Sequence, residues 1–461
     1  MTGIKRGTRL WGEGSGYYPL ANPPSLGYNT LSGREHITCV PLSAKGKTTE
    51  KKEKEPMKKN IIVGQSGGPT AVINASLYGV VREGISQGDE IGKVYGMIHG
   101  IEGFMAGRVT ELSALPSEEL ELLKLTPAAY LGSCRYKLPE DLSHICYQEL
   151  FEKFRQMDIG YFFYIGGNDS MDTVSKLSRY AAARHIDVKV IGIPKTIDND
   201  LIMTDHTPGY GSAAKYVAAT VREIVLDSSG YQQKSVTIVE LMGRHAGWIT
   251  AASVLARKYK GDNPALIYLP ETDFDMEQFA YDVEKALEKQ PNVIICISEG
   301  ISDSRGRFIC EYAEEARVDT FGHKMLTGSG KVLENFVRDR FGVKVRSVEL
   351  NVSQRCSGMI ASKTDIEEAA MAGAWGVKKA LEGVTGQMVT FFRKSDSPYE
   401  IEYGTVDVNQ VCNQEKKFPA EWITGKGADI GEEFFAYVLP LIQGETDQKM
   451  ENGLPVYAYR K

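Results

Sequence analysis

No run of this sequence approaches the ~18 consecutive apolar residues that a membrane-spanning helix requires, so no membrane partner is expected. Nor is there the apolar core of a secretory signal, about 7 to 15 residues long, near its start. Cysteine is sparse: seven residues, an odd number, with no CxxC pair and no metal-ligand spacing. That argues against a disulfide framework or a zinc site and fits a reducing cytoplasm, the localisation expected here. Positive charge is in deficit too, with 54 Lys and Arg against 60 Asp and Glu for a net charge of −6. A nucleic-acid partner is not expected, because a phosphate backbone selects a basic surface. No internal repeat of about 20 to 50 residues occurs, which excludes a solenoid.

What is present is a globular composition, 42% hydrophobic and 25% charged. At 461 residues the chain exceeds one ordinary core and predicts two domains, since a domain runs to roughly 100–200 residues. The first 56 residues stand apart: "GEGSGYYPLANPPSLGYN" is rich in Gly and Pro, and "KGKTTEKKEKEPMKKN" is a charge run. Neither builds a core, and residues 1–56 read as a disordered extension, with Met57 an alternative start of the chain.

From residue 60 onward strands and helices alternate. "NIIVGQSGGP" reads as a strand and glycine turn before the helix "AVINASLYGVVREGISQ"; "IGYFFYIGGNDS" precedes the helix "MDTVSKLSRYAAAR" in the same way. "VKVIGIPKTIDND", "SVTIVELMGR", "PALIYLPE" and "NVIICISEG" are further apolar strands that end in polar or glycine-bearing turns. Short, continuously apolar strands alternating with helices predict an α/β fold with mainly parallel sheet covered on both faces. Ligands of such sheets bind beyond the carboxyl ends of the strands, where these polar turns lie.

The turns carry chemistry. In "GQSGGP" the N–H groups of Gly67 and Gly68 face either an anion at a helix start or nothing but a tight turn. "YIGGNDSMD" places Asn168, Asp169 and Ser170 in a second turn, where Asp169 either caps the helix or stands beside a phosphate whose charge a metal or a lysine offsets. In "VIGIPKTIDNDL", residues 190–201, Asp198, Asn199 and Asp200 crowd a predicted ligand crevice with Lys195 and Thr196. Those carboxylates would repel each other and any phosphate. The economical reading is general-base work by one aspartate while Mg²⁺ and Lys195 neutralise a migrating phosphoryl group; an Asx-built turn is the alternative. Arg135 in "LGSCRYKL", Met242, Gly243 and Arg244 in "VELMGRHAGW", and Arg346 and Arg355 in "VKVRSVELNVSQRCSG" suit a phosphorylated ligand or, singly, surface ion pairs. Glu299 either accepts bonds from sugar hydroxyls or caps a turn.

Seven segments, "SGGPTAVIN", "GSCR", "IGGNDS", "PKTIDND", "IVELMGR", "ISEG" and "SQRC", resemble in kind and order the phosphofructokinase family, over about Met57 to Lys461. The resemblance implies two Rossmann-like domains with the active site in the cleft between them. Residues 57–208, completed by about 356–410, would form the phosphoryl-donor side; 209–355 would form the sugar-phosphate side, and 411–461 a C-terminal extension packed on the core. It implies that Asp198 takes the proton of the sugar's 1-hydroxyl, that Thr196, Ile197 and Asp198 line the fructose 6-phosphate site, and that Asp200, with Asn168 and Asp169, supports Mg²⁺. Gly68 would meet the donor, Arg135 and Arg244 would face the charge in flight, and Met242, Gly243, Arg244 and Glu299 would hold the sugar. Arg346 and Arg355 would grip the 6-phosphate, one of them from a neighbouring subunit, which implies a homodimer or homotetramer.

Two positions bear on the donor. ATP-using members of the family resemble GGDGS and PGTIDND, with glycine where this chain has Asp169 and Lys195; pyrophosphate-using members carry aspartate and lysine there. The Asp169 carboxylate would repel the α-phosphate of ATP, and Lys195 would bind the departing phosphate. The resemblance therefore implies a reversible, Mg-dependent transfer from pyrophosphate to fructose 6-phosphate, in glycolysis or gluconeogenesis. An ATP-dependent phosphofructokinase and a non-catalytic subunit that binds sugar phosphate are the alternatives. Departures from the family pattern are Asn168 for an aspartate, Val352 for a histidine, and Ser235, beside Lys234, for an arginine; they imply a looser sugar site that extends to sedoheptulose 7-phosphate.

Overall fold

The computed structural model describes residues 58–312 and 328–460, so the extension expected over 1–56 lies outside the described residues. Eleven strands form the two main sheets: β1 Lys59–Gln65, β2 Ile91–Met97, β3 Val109–Glu111, β4 Ile159–Gly166, β5 Lys189–Pro194, β6 Ser235–Leu241, β7 Leu266–Tyr268, β8 Asn292–Ser298, β9 Lys344–Glu349, β10 Gln387–Asp396 and β11 Tyr399–Asp407. Both lie within Pro56–Lys461, which is one compact unit.

The first sheet has seven strands in the order β11-β10-β5-β4-β1-β2-β3. Its five inner strands are parallel, and β3 and β11 close the edges antiparallel. The second sheet, β7-β8-β6-β9, is parallel throughout. Parallel strands need covering on both faces, and the side chains alternate accordingly. From β4, Phe162 and Tyr164 enter one apolar cluster while Phe163 and Ile165 enter the other. From β6, Val239 and Leu241 face one cluster while Val236 and Ile238 face its opposite.

The chain leaves β1 first for β2 on one side and later for β4 on the other, so the winding reverses between β1 and β4. That reversal opens a crevice beyond their carboxyl ends. The helix Ile73–Ser86 that follows β1 packs backbone to backbone against the helix Lys363–Leu381: a Cβ on Gly79 would stand 1.9 Å from Ala370 O. Asp365, buried at the start of the second of these helices, accepts from Gly209 N (2.9 Å) and Ser212 N (2.8 Å). Gly209 is in turn bridged to Thr196 just past β5, so the helical layer anchors the turn of interest. Beyond β11, Phe418, Phe434, Val438 and Leu441 join the cluster around Trp248 on the second sheet. Among the described residues no helix is long and apolar enough to cross a membrane.

Candidate active site

The carboxyl ends of β1, β4 and β5 meet those of β6 and β8 across two adjoining cavities of 610 and 430 Å³. Gly68, Lys195, Thr196 and Asp198 line both, and so mark the seam. Asn168, Asp169 and Asp200 face only the first; Arg135, Ile197, Met242, Arg244, Glu299 and Arg355 face only the second. The grouping anticipated from seven separate segments is thus physically assembled, with two exceptions. Gly243 is buried behind the wall at φ 129°, where its N–H reaches Glu299 Oε1 at 3.4 Å. A side chain there would be strained and would meet Ala246 O at 2.6 Å. Arg346 does not reach the cleft: it is exposed on β9 and lines a separate cavity of 40 Å³ with Tyr231, Ser235 and Lys344.

Each turn is held by its neighbours. Gly67, at φ 74°, accepts from Ser133 Oγ (2.6 Å) and donates its N–H to Cys134 O (3.3 Å), which ties the "GSCR" loop to the first glycine turn. The helix Asn168–Ala183 begins three residues earlier than its apolar periodicity predicts. Its N-cap is Gly167, and Asp169 therefore caps nothing; it stands in the first turn, 81% exposed, paired with Lys137 at 3.6 Å. The capping alternative falls. Lys195 is buried and donates to Gly68 O at 2.7 Å.

The charges are crowded enough to perturb one another. Burial pushes Lys195 down to about 8, against the attraction of Asp198 and Asp200. Burial and then the Asp200 charge push Asp198 up to about 7, and burial also raises Asp200. Glu299 rises to about 7 by burial and the proximity of Asp198. Arg355 comes within reach of Gly68: a Cβ on that glycine would lie 3.0 Å from a guanidinium nitrogen. Arg355 therefore stands at the seam of the cavities, in the field of both Lys195 and Asp198.

Two oxygens in the first cavity, Asn168 Oδ1 and Asp200 Oδ1, are buried and have no hydrogen-bond partner. Two hard oxygen donors with no partner in this cavity fit Mg²⁺, which prefers carboxylate and carbonyl oxygen and keeps several waters. Among the described residues no cluster of three or more His, Cys, Asp or Glu could hold a metal by itself. Sequence reasoning missed Asn413 and Glu415, which arrive from beyond β11 to line the first cavity, Glu415 facing the second as well. His245, which lines the second, is likewise absent from the residues anticipated. No spacing or periodicity signals the first pair, because their segment is apart in sequence from every motif and joins the cleft only through the fold.

The family model for phosphofructokinase matches residues 60–349. The chain is 40% identical over 402 residues to the pyrophosphate–fructose 6-phosphate 1-phosphotransferase of Methylococcus capsulatus, covering 87% of this chain and 95% of that protein. Identity, length and coverage are the same for the protein of that name from Halomonas elongata: 40%, 402 residues, 87% and 95%. The crystal structure of a pyrophosphate-dependent phosphofructokinase from Marinobacter aquaeolei superposes with a TM-score of 0.79 at 38% identity, over 87% of this chain and 95% of that one.

Proposed function

This chain belongs to the phosphofructokinase family, and from that premise we propose that it transfers a phosphoryl group from pyrophosphate to the 1-hydroxyl of fructose 6-phosphate. The observation that carries the reading is the seam: Lys195, buried on Gly68 O, and Asp198 are shared by the two cavities, one for each substrate.

The steps derive from that placement. The sugar lies in the second cavity, held by Met242, Arg244 and Glu299 with Thr196 and Ile197 beneath it, and its 1-hydroxyl faces Asp198. A carboxylate raised to about 7 is matched to general-base work near neutrality. Asp198 takes the hydroxyl proton as the sugar oxygen bonds the near phosphorus. The bridging P–O bond of pyrophosphate breaks, and the departing phosphate stays with the Lys195 ammonium at the glycine turn. Arg135 and Arg244 face the charge that spreads over the phosphoryl oxygens, and Arg355, expected on the 6-phosphate, lies against Gly68 and faces that charge with them. Asn168 and Asp200 would hold Mg²⁺, which neutralises phosphate charge when bound. Because the bond broken and the bond made are close in energy, the reaction runs in both directions.

The two sheets serve as the donor and sugar lobes. Arg346, outside this cleft, serves the 6-phosphate in the cleft of a neighbouring subunit of a homodimer or homotetramer. A cytoplasmic setting suits these substrates. The test is a donor assay on the purified chain with fructose 6-phosphate and Mg²⁺. Turnover with pyrophosphate that exceeds turnover with ATP supports the reading, and faster turnover with ATP removes it.

A further inference from the structure

The turn Asp198–Asn199–Asp200 is not held by its own sheet alone. Asn199 takes the left-handed conformation, φ 54°, and both flanking carboxylates line the first cavity. Its amide is committed on both sides. Oδ1 accepts from Thr207 N (3.1 Å) and Lys416 Nζ (3.4 Å), and Nδ2 donates to Tyr437 Oη at 2.7 Å. Tyr437 Oη donates onward to Asp205 O (2.8 Å). Lys416 and Tyr437 both lie beyond residue 349, where the family match ends.

Lys416 is bonded at every polar atom. Its ammonium also donates to Asp205 O (2.7 Å) and Thr204 O (3.3 Å), its main-chain N–H donates to Asp200 O (2.7 Å), and its carbonyl accepts from Trp248 Nε1 (3.2 Å). The ammonium stands 5.0 Å from the Trp248 ring centre. The residues after it reach the other lobe: Lys417 Nζ donates to His245 O, and Phe418 N donates to Glu271 Oε1 (2.9 Å), which also accepts from Gly247 N (2.9 Å). Residues 415–418 are thus a strap, tied at one end to the acidic turn after β5 and at the other to the loop after β6, with Glu415 facing both cavities. Sequestering an ammonium costs desolvation, and an apolar side chain would fill this space more cheaply unless the geometry it enforces is needed.

We propose that Lys416 is a positioning residue: through Asn199 it sets the aim of the Asp198 and Asp200 carboxylates, and the strap 415–418 registers that aim against the sugar-side loop. This rests on the phosphoryl-transfer reading above. A lone tether of the turn would govern only its stability; a tether bonded to both lobes governs the distance between base and hydroxyl. Misplacement of a reacting group by about 1 Å costs on the order of 100-fold in rate.

The test compares Lys416→Met and Tyr437→Phe with the wild-type enzyme. Wild-type turnover with pyrophosphate is measured first and judges the reaction itself; the strap is judged from variant-to-wild-type ratios with whichever donor the wild type uses, so the two failures are separable. Lys416→Met keeps the apolar stem and removes the tether. It is expected to lower kcat about 100-fold while the KM for fructose 6-phosphate changes less than about 3-fold. Tyr437→Phe removes one hydroxyl and is expected to lower kcat about 10-fold with the same KM pattern. Wild-type kcat in either folded variant overturns the proposal, as does a loss of kcat/KM carried by KM. If Lys416→Met does not fold, Tyr437→Phe decides alone.

Discussion

The two acidic elements of the cleft are built in opposite ways. Asp169 stands at the start of a helix, 81% exposed and loosely paired with Lys137. Asp198 and Asp200 lie on a turn whose middle residue is bonded to Thr207, Lys416 and Tyr437, and whose carboxyl pKa values are raised by burial. A charge in water acts on any ion that approaches it and contributes little to stability. A charge in a knitted, desolvated turn acts on a bound substrate with little screening, and its surroundings must be arranged to tolerate it. The exposed carboxylate is therefore suited to choosing the donor, and the sequestered pair to the chemistry.

The largest expected effect tests the sequestered half. Asp198→Ala should lower kcat about 1,000-fold while binding of fructose 6-phosphate, measured by calorimetry, persists. Near-normal turnover would erase the distinction between the two halves. The donor-choosing pair, exposed Asp169 and buried Lys195, predicts a change of preference. In Asp169→Gly with Lys195→Gly, the ATP-to-pyrophosphate ratio of kcat/KM should rise at least about 10-fold. Asp169→Gly alone should cost no more than about 1.5 kcal/mol, the sum of a glycine in the helix and a lost first-turn carboxylate, and a larger drop in thermal midpoint would place this carboxylate among the structural ones.

The smallest effect concerns the frame under the acidic turn. His206 is buried between Asp205 (2.8 Å) and Glu368 (2.7 Å). Burial disfavours its charged form, but Glu368 and Asp205 outweigh burial and hold its pKa up to about 9 against an ordinary 6.5. A folded-state value above the unfolded one gives stability that is complete below about 6.5 and fades as pH rises through 9. Across that interval the chemical-denaturation midpoint of the wild type should fall relative to that of His206→Gln, a comparison that cancels the opposite slope Lys195 and Lys416 give to both, since burial lowers each to about 8. A relative slope of the opposite sign would mean that His206 is buried neutral.

Much of this was legible in the residues. β4, β5, β6 and β8 are covered on both faces, so their apolar runs are nearly unbroken and announce themselves. β2 carries Gly92, Lys93 and Gly96, and β9 is a charged strand at a sheet edge, half-exposed along its length, so neither shows such a run. β10 and β11 were hidden for a related reason: the apolar start of β10 gives way to a solvent-facing hairpin. The helix start at Asn168 was misjudged because periodicity registers the buried stripe, which begins at Ser170 and Met171, and not the polar first turn.

Residue pattern was enough for the kind of fold and the chemistry-bearing turns, because a parallel sheet demands apolar strands and leaves polar residues to the turns at their ends. Packing decided which turns share a wall, that Asp169 is exposed while Asp198 and Asp200 are half-buried, that Arg346 lies elsewhere, that Asn413 and Glu415 line the cleft and that Lys416 holds its acidic turn. Burial and reach depend on how distant segments pack, and a strap from beyond residue 410 leaves no local pattern at the turn it holds.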